Sequence, residues 1–136
     1  MSVLLVEDEI LILEIVQDAL EQAGFRVRAV PSSFAALEFM SEGVEELAGL
    51  VTDIRLGVGP TGWDLARHAR RTRPDLPVIY MTGDSAADWP VEGVPRSQVV
   101  QKPFAVGQIV TALSAMLTEA DTDAAGQGSA AELSNR

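Results

Sequence analysis

Five short apolar segments recur along the chain, and segments of helical character follow four of them. The apolar segments cover residues 3–6, 25–30, 49–53, 78–81 and 99–100. Continuous apolar runs are typical of strands buried on both faces of a parallel sheet, whereas the strict alternation in residues 25–30 is typical of an edge strand. Short connections and right-handed crossovers then predict a doubly wound α/β fold, in which helices cover both faces of a five-stranded parallel sheet.

The intervening segments carry apolar residues at helical spacing. This pattern predicts a first helix that Gly24 ends, a second that Ser32 or Ser33 caps and that ends near Gly43, a third from about Trp63 to Thr72, and a last one with apolar positions from Val106 to Leu117. Residues 84–95 differ from the other connections, because Pro90, Gly93 and Pro95 leave little room for a regular helix.

Composition excludes several classes of protein. The chain has 136 residues, of which 47% are hydrophobic, so one domain with a single core is expected. Its formal net charge of -10 argues against unaided binding to nucleic acid or to an anionic membrane. There is no cysteine, and His68 is the single histidine, which excludes thiolate metal sites and most histidine-dependent triads.

The two ends of the sequence suggest a location and a domain boundary. The start lacks the basic region of a signal peptide, and no apolar run approaches the length of a membrane span. We therefore predict a cytoplasmic protein without membrane insertion. Small and polar residues dominate from about Glu119, which predicts a domain over 1–118 and a flexible tail over 119–136.

Polar side chains stand at the ends of four of the predicted strands. Glu7 and Asp8 follow the first strand, Asp53 ends the third, Thr82 follows the fourth and Lys102 follows the fifth. The carboxyl ends of parallel strands open on the same edge of a sheet, which is where such folds bind ligands. Three carboxylates, one hydroxyl and one ammonium are therefore expected to converge.

This combination of groups suits phosphoryl transfer. Two carboxylates about 4 Å apart repel by roughly 4 kcal/mol at an effective dielectric of 20, so the cluster favours a hard dication such as Mg²⁺, or Mn²⁺ in its place. Asp53 is then a candidate nucleophile, since carboxylates can attack phosphorus. Lys102 would pair with one phosphoryl oxygen, and Thr82 would donate its hydroxyl to another.

The spaced set Glu7-Asp8, Asp53, Thr82 and Lys102-Pro103-Phe104 resembles the receiver domain of two-component response regulators, over about residues 2–118. The resemblance implies the flavodoxin-like strand order 2-1-3-4-5 and makes Asp53 the phosphoacceptor. It also implies a metal site made of Glu7, Asp8, Asp53 and the backbone carbonyl of Arg55, with Thr82 as the switch hydroxyl and Lys102 as the phosphate-sensing residue. The Lys102–Pro103 bond would be cis.

Two positions depart from the family's usual pattern. The switch aromatic normally lies three residues before the lysine, but Val99 stands there. The fourth helix is usually a signalling surface, whereas residues 84–95 predict an atypical one. Both departures, together with the sequence of residues 77–84, resemble a subgroup of single-domain receivers with a Pro-x-Phe-x-Ala-Thr-Gly-Tyr-like motif. The match is partial, because other residues replace the Phe, the Ala and the Tyr of the motif.

The resemblance implies a histidine kinase or histidine phosphotransfer protein as phosphoryl donor. Too few residues follow Leu117 for a DNA-binding module, so the expected output is contact with a downstream protein that the sequence does not identify. Such a chain is a phosphoacceptor that assists its own phosphotransfer and dephosphorylation rather than a conventional enzyme.

The side chains of Arg55 and Asp84, each two residues after a site residue, would pair over the phosphoryl group and slow its hydrolysis.

Two other functions fit parts of the pattern. One is a Mg²⁺-dependent phosphohydrolase with an aspartyl nucleophile, but such enzymes commonly place a second acid two residues later, where this chain has Arg55. The other is an inert pseudo-receiver that only binds partners, which the five filled family positions disfavour.

Overall fold

A computed structural model describes residues 2–119, and it contains the predicted five-stranded parallel sheet. The strands are β1 (Ser2–Val6), β2 (Arg26–Val30), β3 (Leu47–Asp53), β4 (Val78–Thr82) and β5 (Gln98–Gln101). Their order in the sheet is β2-β1-β3-β4-β5, and all four pairings are parallel. This arrangement confirms the doubly wound, flavodoxin-like order.

Five helices connect and cover the strands. They are α1 (Ile10–Gln22), α2 (Ser33–Ser41), α3 (Gly62–Thr72), α4 (Trp89–Glu92) and α5, whose described part covers 106–119. Short 3₁₀ turns occupy Val44–Glu46 and Ala86–Asp88. The one-turn α4 confirms the prediction for residues 84–95. Residue 119 belongs to α5, and the rest of the predicted tail lies outside the described residues.

Side-chain caps set where two of the helices begin. Of the two serines predicted as caps, Ser32 caps α2, and its side chain accepts a hydrogen bond from the Ala35 N–H at 3.1 Å. A capping box of Thr61 and Asp64 starts α3. These caps satisfy backbone N–H groups that have no partner inside the helix. They fix the start of each helix close to the edge of the sheet where the strands end.

The core lies in two layers, one on each face of the sheet. Residues on alternate positions of a strand enter opposite layers. Leu4, Leu50 and Tyr80 pack with α2 and α3, whereas Val3, Val51 and Met81 pack with α1 and α5.

The edge strand β2 exposes Arg26 and Arg28. Among the helices of the described part of the chain, none combines the length and apolar character needed to cross a bilayer.

Candidate functional site

The predicted site residues meet at the carboxyl ends of the strands. Glu7, Asp8 and Asp53 each offer a carboxylate oxygen, and these oxygens lie within 4.8 Å of one another. Glu7 and Asp53 are buried, whereas Asp8 is exposed. The three carboxylates form a set of hard oxygen donors of the kind that Mg²⁺ or Mn²⁺ prefers, with one side open to solvent.

Backbone groups orient the two buried carboxylates. The Ile54 N–H donates to Asp53 Oδ1 at 2.7 Å, and the Glu9 N–H donates to Glu7 Oε2 at 3.2 Å. The backbone N–H of Glu7 in turn donates to the carbonyl of Val30 at 3.2 Å, which fixes the end of β1 against β2. Each buried carboxylate is thus left with one oxygen free of these backbone contacts.

Lys102 binds both of those remaining oxygens. Its Nζ lies 2.8 Å from Glu7 Oε1 and 3.3 Å from Asp53 Oδ2. The Lys102–Pro103 peptide bond is cis, as predicted, and the Lys102 N–H donates to the Thr82 carbonyl at 2.6 Å. The sequence predicted a lysine that pairs with a phosphoryl oxygen, and it did not indicate the contact with Glu7.

The ionisation of this trio follows from its charges. Burial, together with the neighbouring Asp53, raises the pKa of Glu7 from its ordinary 4.5 to about 7, although the Lys102 hydrogen bond opposes the change. Burial works to lower the pKa of Lys102, but the hydrogen bond to Glu7 and the charge of Asp53 outweigh it, so that pKa is raised. The Lys102 ammonium therefore stays charged and is shared between the two buried carboxylates.

Thr82 is buried at the end of β4, and its own loop holds its hydroxyl oxygen. Thr82 Oγ1 accepts hydrogen bonds from the N–H of Asp84 at 3.2 Å and from that of Ser85 at 2.8 Å. Because both contacts use the oxygen as an acceptor, the hydroxyl hydrogen remains available to donate. These two contacts were not predicted from the sequence.

The predicted pair between Arg55 and Asp84 is present. Arg55 Nε lies 3.1 Å from Asp84 Oδ1 and 3.0 Å from Oδ2, and the side chains are 74% and 57% exposed. The Ser85 hydroxyl donates to Asp84 Oδ1 at 2.9 Å, which steadies the acid. The pair therefore links the loop after β3 to the loop after β4.

Gly62 is a structural contributor to the site that the sequence did not indicate. A Cβ at this position would collide with the Asp53 carbonyl and lie 2.9 Å from Ile54 Cα. The Gly62 N–H donates to the Ile54 carbonyl at 2.8 Å. Helix α3 therefore begins directly against the backbone that carries Asp53, and only glycine permits that approach.

An apolar groove of about 390 Å³ adjoins the site. It is lined by Ile12, Ile15 and Val16 of α1 and by Lys102, Pro103, Phe104 and Val106. Leu11 and Ile15 are 75% and 55% exposed on α1. Because Lys102 belongs to both, the groove and the carboxylate cluster are continuous.

The family model of the response regulator receiver domain matches residues 3–114 of the sequence, and the chain belongs to this family. The response regulator receiver protein CpdR of Brucella abortus (strain 2308) is 34% identical over 122 residues, which cover 87% of this chain and 98% of CpdR. A response regulator receiver protein from Sinorhizobium medicae WSM419 has a solved structure similar to this one. Its TM-score is 0.83 at 40% identity, over 87% of this chain and 94% of that one.

A longer relative matches over a fraction of its own length. The sensor kinase CckA of Brucella abortus (strain 2308) is 34% identical over 125 residues, which cover 88% of this chain but 13% of the kinase. The chain thus spans a small part of that protein. Membership of the receiver family makes this chain a signalling module of two-component systems rather than a conventional enzyme.

Proposed function

We propose that this receiver accepts a phosphoryl group on Asp53 in a Mg²⁺-dependent reaction and signals by protein contact. The observation that supports this most directly is the convergence of Asp53 with two further carboxylates and Lys102 at the strand ends. Phosphorylation of wild type compared with Asp53→Asn tests it.

The transfer step uses the oxygen of Asp53 that its own backbone does not hold. Oδ1 accepts from the Ile54 N–H, so Oδ2 attacks phosphorus. A new O–P bond forms while the P–N bond of the donor phosphohistidine breaks, and the imidazole, protonated on its other ring nitrogen, leaves with the bonding electron pair. The product is an acyl phosphate on Asp53 and a neutral histidine on the donor.

Glu7, Asp8, Asp53 and the backbone carbonyl of Arg55 would hold the dication, Mg²⁺ or Mn²⁺. All four are oxygen donors, and the three carboxylates already lie within 4.8 Å of one another. A bound dication supplies positive charge that neutralises the phosphoryl oxygens during transfer. The chain's own residues position the nucleophile.

Lys102 and Thr82 then report the new charge. Phosphorylation adds about -1.5 to -2 charge, which draws the Lys102 ammonium from its contacts with Glu7 and Asp53 towards a phosphoryl oxygen. The Thr82 hydroxyl donates to another oxygen, and its contacts with Asp84 and Ser85 must loosen when it moves. The loops after β4 and β5 therefore change together.

The partners follow from this chemistry. The donor is a histidine kinase or a histidine phosphotransfer protein, and the apolar groove beside Lys102 offers it a contact surface next to Asp53. The output is contact with a downstream protein, and a cytoplasmic location is expected. Pulldown of partners by phosphorylated wild type and by Asp53→Asn compares the two states, and an identical set from both would contradict a phosphorylation-dependent output.

Neither alternative function is favoured. A phosphohydrolase would need a second acid where Arg55 stands, and Arg55 instead pairs with Asp84. Turnover of a phosphate ester beyond one equivalent would support that alternative. A pseudo-receiver predicts no change in tryptophan fluorescence or in amide NMR shifts around Asp53 when beryllofluoride and Mg²⁺ are added, whereas a working receiver responds at that site.

We expect Mg²⁺ affinity to rise with pH up to about 7. The raised pKa of Glu7 means that the folded metal-free protein keeps a proton there, which a dication must displace. Because the pKa of Glu7 is higher in the folded protein than in the unfolded chain, the protonated carboxyl stabilises the fold. This contribution to stability is complete below pH 4.5 and is lost as the pH rises through about 7.

Titration of Mg²⁺ at several pH values checks this. Affinity should increase by up to about tenfold per pH unit below the pKa of Glu7 and then level off. Glu7→Gln should weaken binding and flatten this dependence, because the glutamine has no proton to lose. An equally steep dependence in Glu7→Gln would assign the proton to another group.

We expect Arg55→Ala to shorten the lifetime of the acyl phosphate, by up to about fivefold, because the exposed Arg55–Asp84 pair screens the path of an attacking water. Asp84→Asn should shorten it similarly, and the double variant should add little to either single change. Hydrolysis of labelled protein after donor removal measures this. An unchanged lifetime in Arg55→Ala removes the pair from the mechanism.

A further inference from the structure

The position of the family's usual switch aromatic is held by Val99, which lies beside an aromatic residue of the neighbouring strand. Val99 and Tyr80 are Cα partners in the β4–β5 pairing, and Val99 packs against the same core layer as Tyr80. Tyr80 is completely buried, and its ring centroid lies 4.5 Å from that of Trp63 at an interplanar angle of 58°. The ring is thus fully enclosed by the core.

The hydroxyl of Tyr80 binds the chain two residues after the end of α4. The Val94 N–H donates to it at 3.1 Å, and this hydrogen bond is buried. Burial also raises the pKa of Tyr80, so the hydroxyl stays protonated at neutral pH. Tyr80 and Thr82 lie two positions apart on β4 and therefore on the same face of the sheet.

Residues 83–93, which we call the flap, are anchored differently at their two ends. At the first end, the Ser85 N–H donates to Thr82 Oγ1, and under the proposed function this contact loosens when Thr82 moves towards a phosphoryl group. At the far end, Val94 is held by Tyr80, and its carbonyl accepts from the Ser97 hydroxyl at 2.6 Å.

Two arginines of α3 strengthen the far end. Arg70 donates to the carbonyls of Pro95 at 2.6 Å and Arg96 at 3.2 Å, and Arg67 donates to that of Glu92 at 3.0 Å.

One end of the flap is therefore bound to the loops of the site, through Thr82 and through the Arg55–Asp84 pair. The other end is joined to the segment after it, where Trp89 Nε1 donates to Ser97 Oγ at 2.9 Å.

From this arrangement, we propose that Tyr80 is the fixed pivot of the switch and confines the phosphorylation response to residues 83–93. This inference rests on the proposed function, because release of Thr82 requires a phosphoryl group on Asp53. The flap turns about the Tyr80–Val94 hydrogen bond when Ser85 is freed, and it carries the exposed Val91 with it.

Amide hydrogen exchange followed by NMR, with and without beryllofluoride and Mg²⁺, tests the pivot. In wild type, activation should change exchange from Gly83 to Gly93 and leave the Val94 amide protected. In Tyr80→Phe, which keeps the ring, Val94 should exchange about two- to tenfold faster in the resting state. The response should then extend through residues 94–97. Ser41→Ala loses an exposed hydroxyl of α2 and should keep the wild-type boundary.

The outcomes separate this inference from the proposed function. Labelling by acetyl phosphate should be the same in Tyr80→Phe and wild type, because Tyr80 does not contact the reacting groups. Loss of Val94 protection in activated wild type would overturn the pivot, and so would an unchanged boundary in Tyr80→Phe. Failure of wild type to label at Asp53 would instead overturn the proposed function.

Discussion

Replacing Asp53 by asparagine should abolish phosphorylation completely rather than reduce it. The amide cannot form the acyl phosphate, and no other carboxylate takes its position. Glu7 is held by Lys102 and by the Glu9 N–H, whereas Asp8 lies at the exposed side of the site. Labelling with acetyl phosphate, or with a histidine kinase that phosphorylates the wild type, measures the effect. The wild-type product should be an acid-stable, base-labile acyl phosphate at this one residue.

The loss should not come from unfolding. Asp53→Asn removes one of two buried carboxylates that share a single ammonium, so the metal-free variant should melt at or above the wild-type temperature. Asp75→Asn is the matched control, because that aspartate is exposed and pairs with Arg73 in the turn before β4. It should label as wild type does. Persistent labelling of Asp53→Asn would place the phosphoacceptor elsewhere and defeat the proposed function.

We expect Gly62→Ala to be the most damaging single-methyl change near the site. The added Cβ would meet the Asp53 carbonyl and the Ile54 backbone, neither of which can rotate away as a side chain can. Overpacking of this kind costs about 2–3 kcal/mol, or roughly 10 °C in melting temperature for a domain of this size. Phosphorylation should also slow, because relief of the clash moves the backbone that orients Asp53.

Gly107 supplies the control for this change. It lies near the start of α5, and a Cβ there would meet nothing within 4 Å. Gly107→Ala should therefore keep the wild-type stability or gain up to about 1 kcal/mol, since alanine favours a helix over glycine. Equal melting temperatures for Gly62→Ala and Gly107→Ala would show that α3 can shift away from Asp53 without cost.

Local patterns in the sequence were enough to predict the sheet and the positions of the site residues. Apolar runs that end on Asp53 and Thr82 placed those residues at one edge, because parallel strands share their direction. The cis bond at Pro103 and the short α4 followed from the resemblance and from the prolines in residues 84–95.

Contacts between distant elements were not predictable in this way. The bond from Lys102 to Glu7 joins residues 95 positions apart, and the Tyr80 hydroxyl reaches Val94 across a loop. The close approach of Gly62 depends on the angle at which α3 meets β3. Such contacts depend on three-dimensional packing, which the spacing of apolar residues along the sequence does not indicate. The Arg55–Asp84 pair was an exception. Each of its residues lies two positions after the last residue of a strand, and the two strands, β3 and β4, are neighbours in the sheet.

The exposed arginines of β2 have a consequence for self-association. An edge strand offers unpaired backbone groups to which another chain can add, and such addition leads to aggregation. Arg26 and Arg28 place like charges along one edge, and Gln98 and Gln101 are exposed on β5 at the other. Two copies that met edge to edge through β2 would set these arginines against one another. These charges therefore disfavour the addition of a second chain at the β2 edge of the sheet.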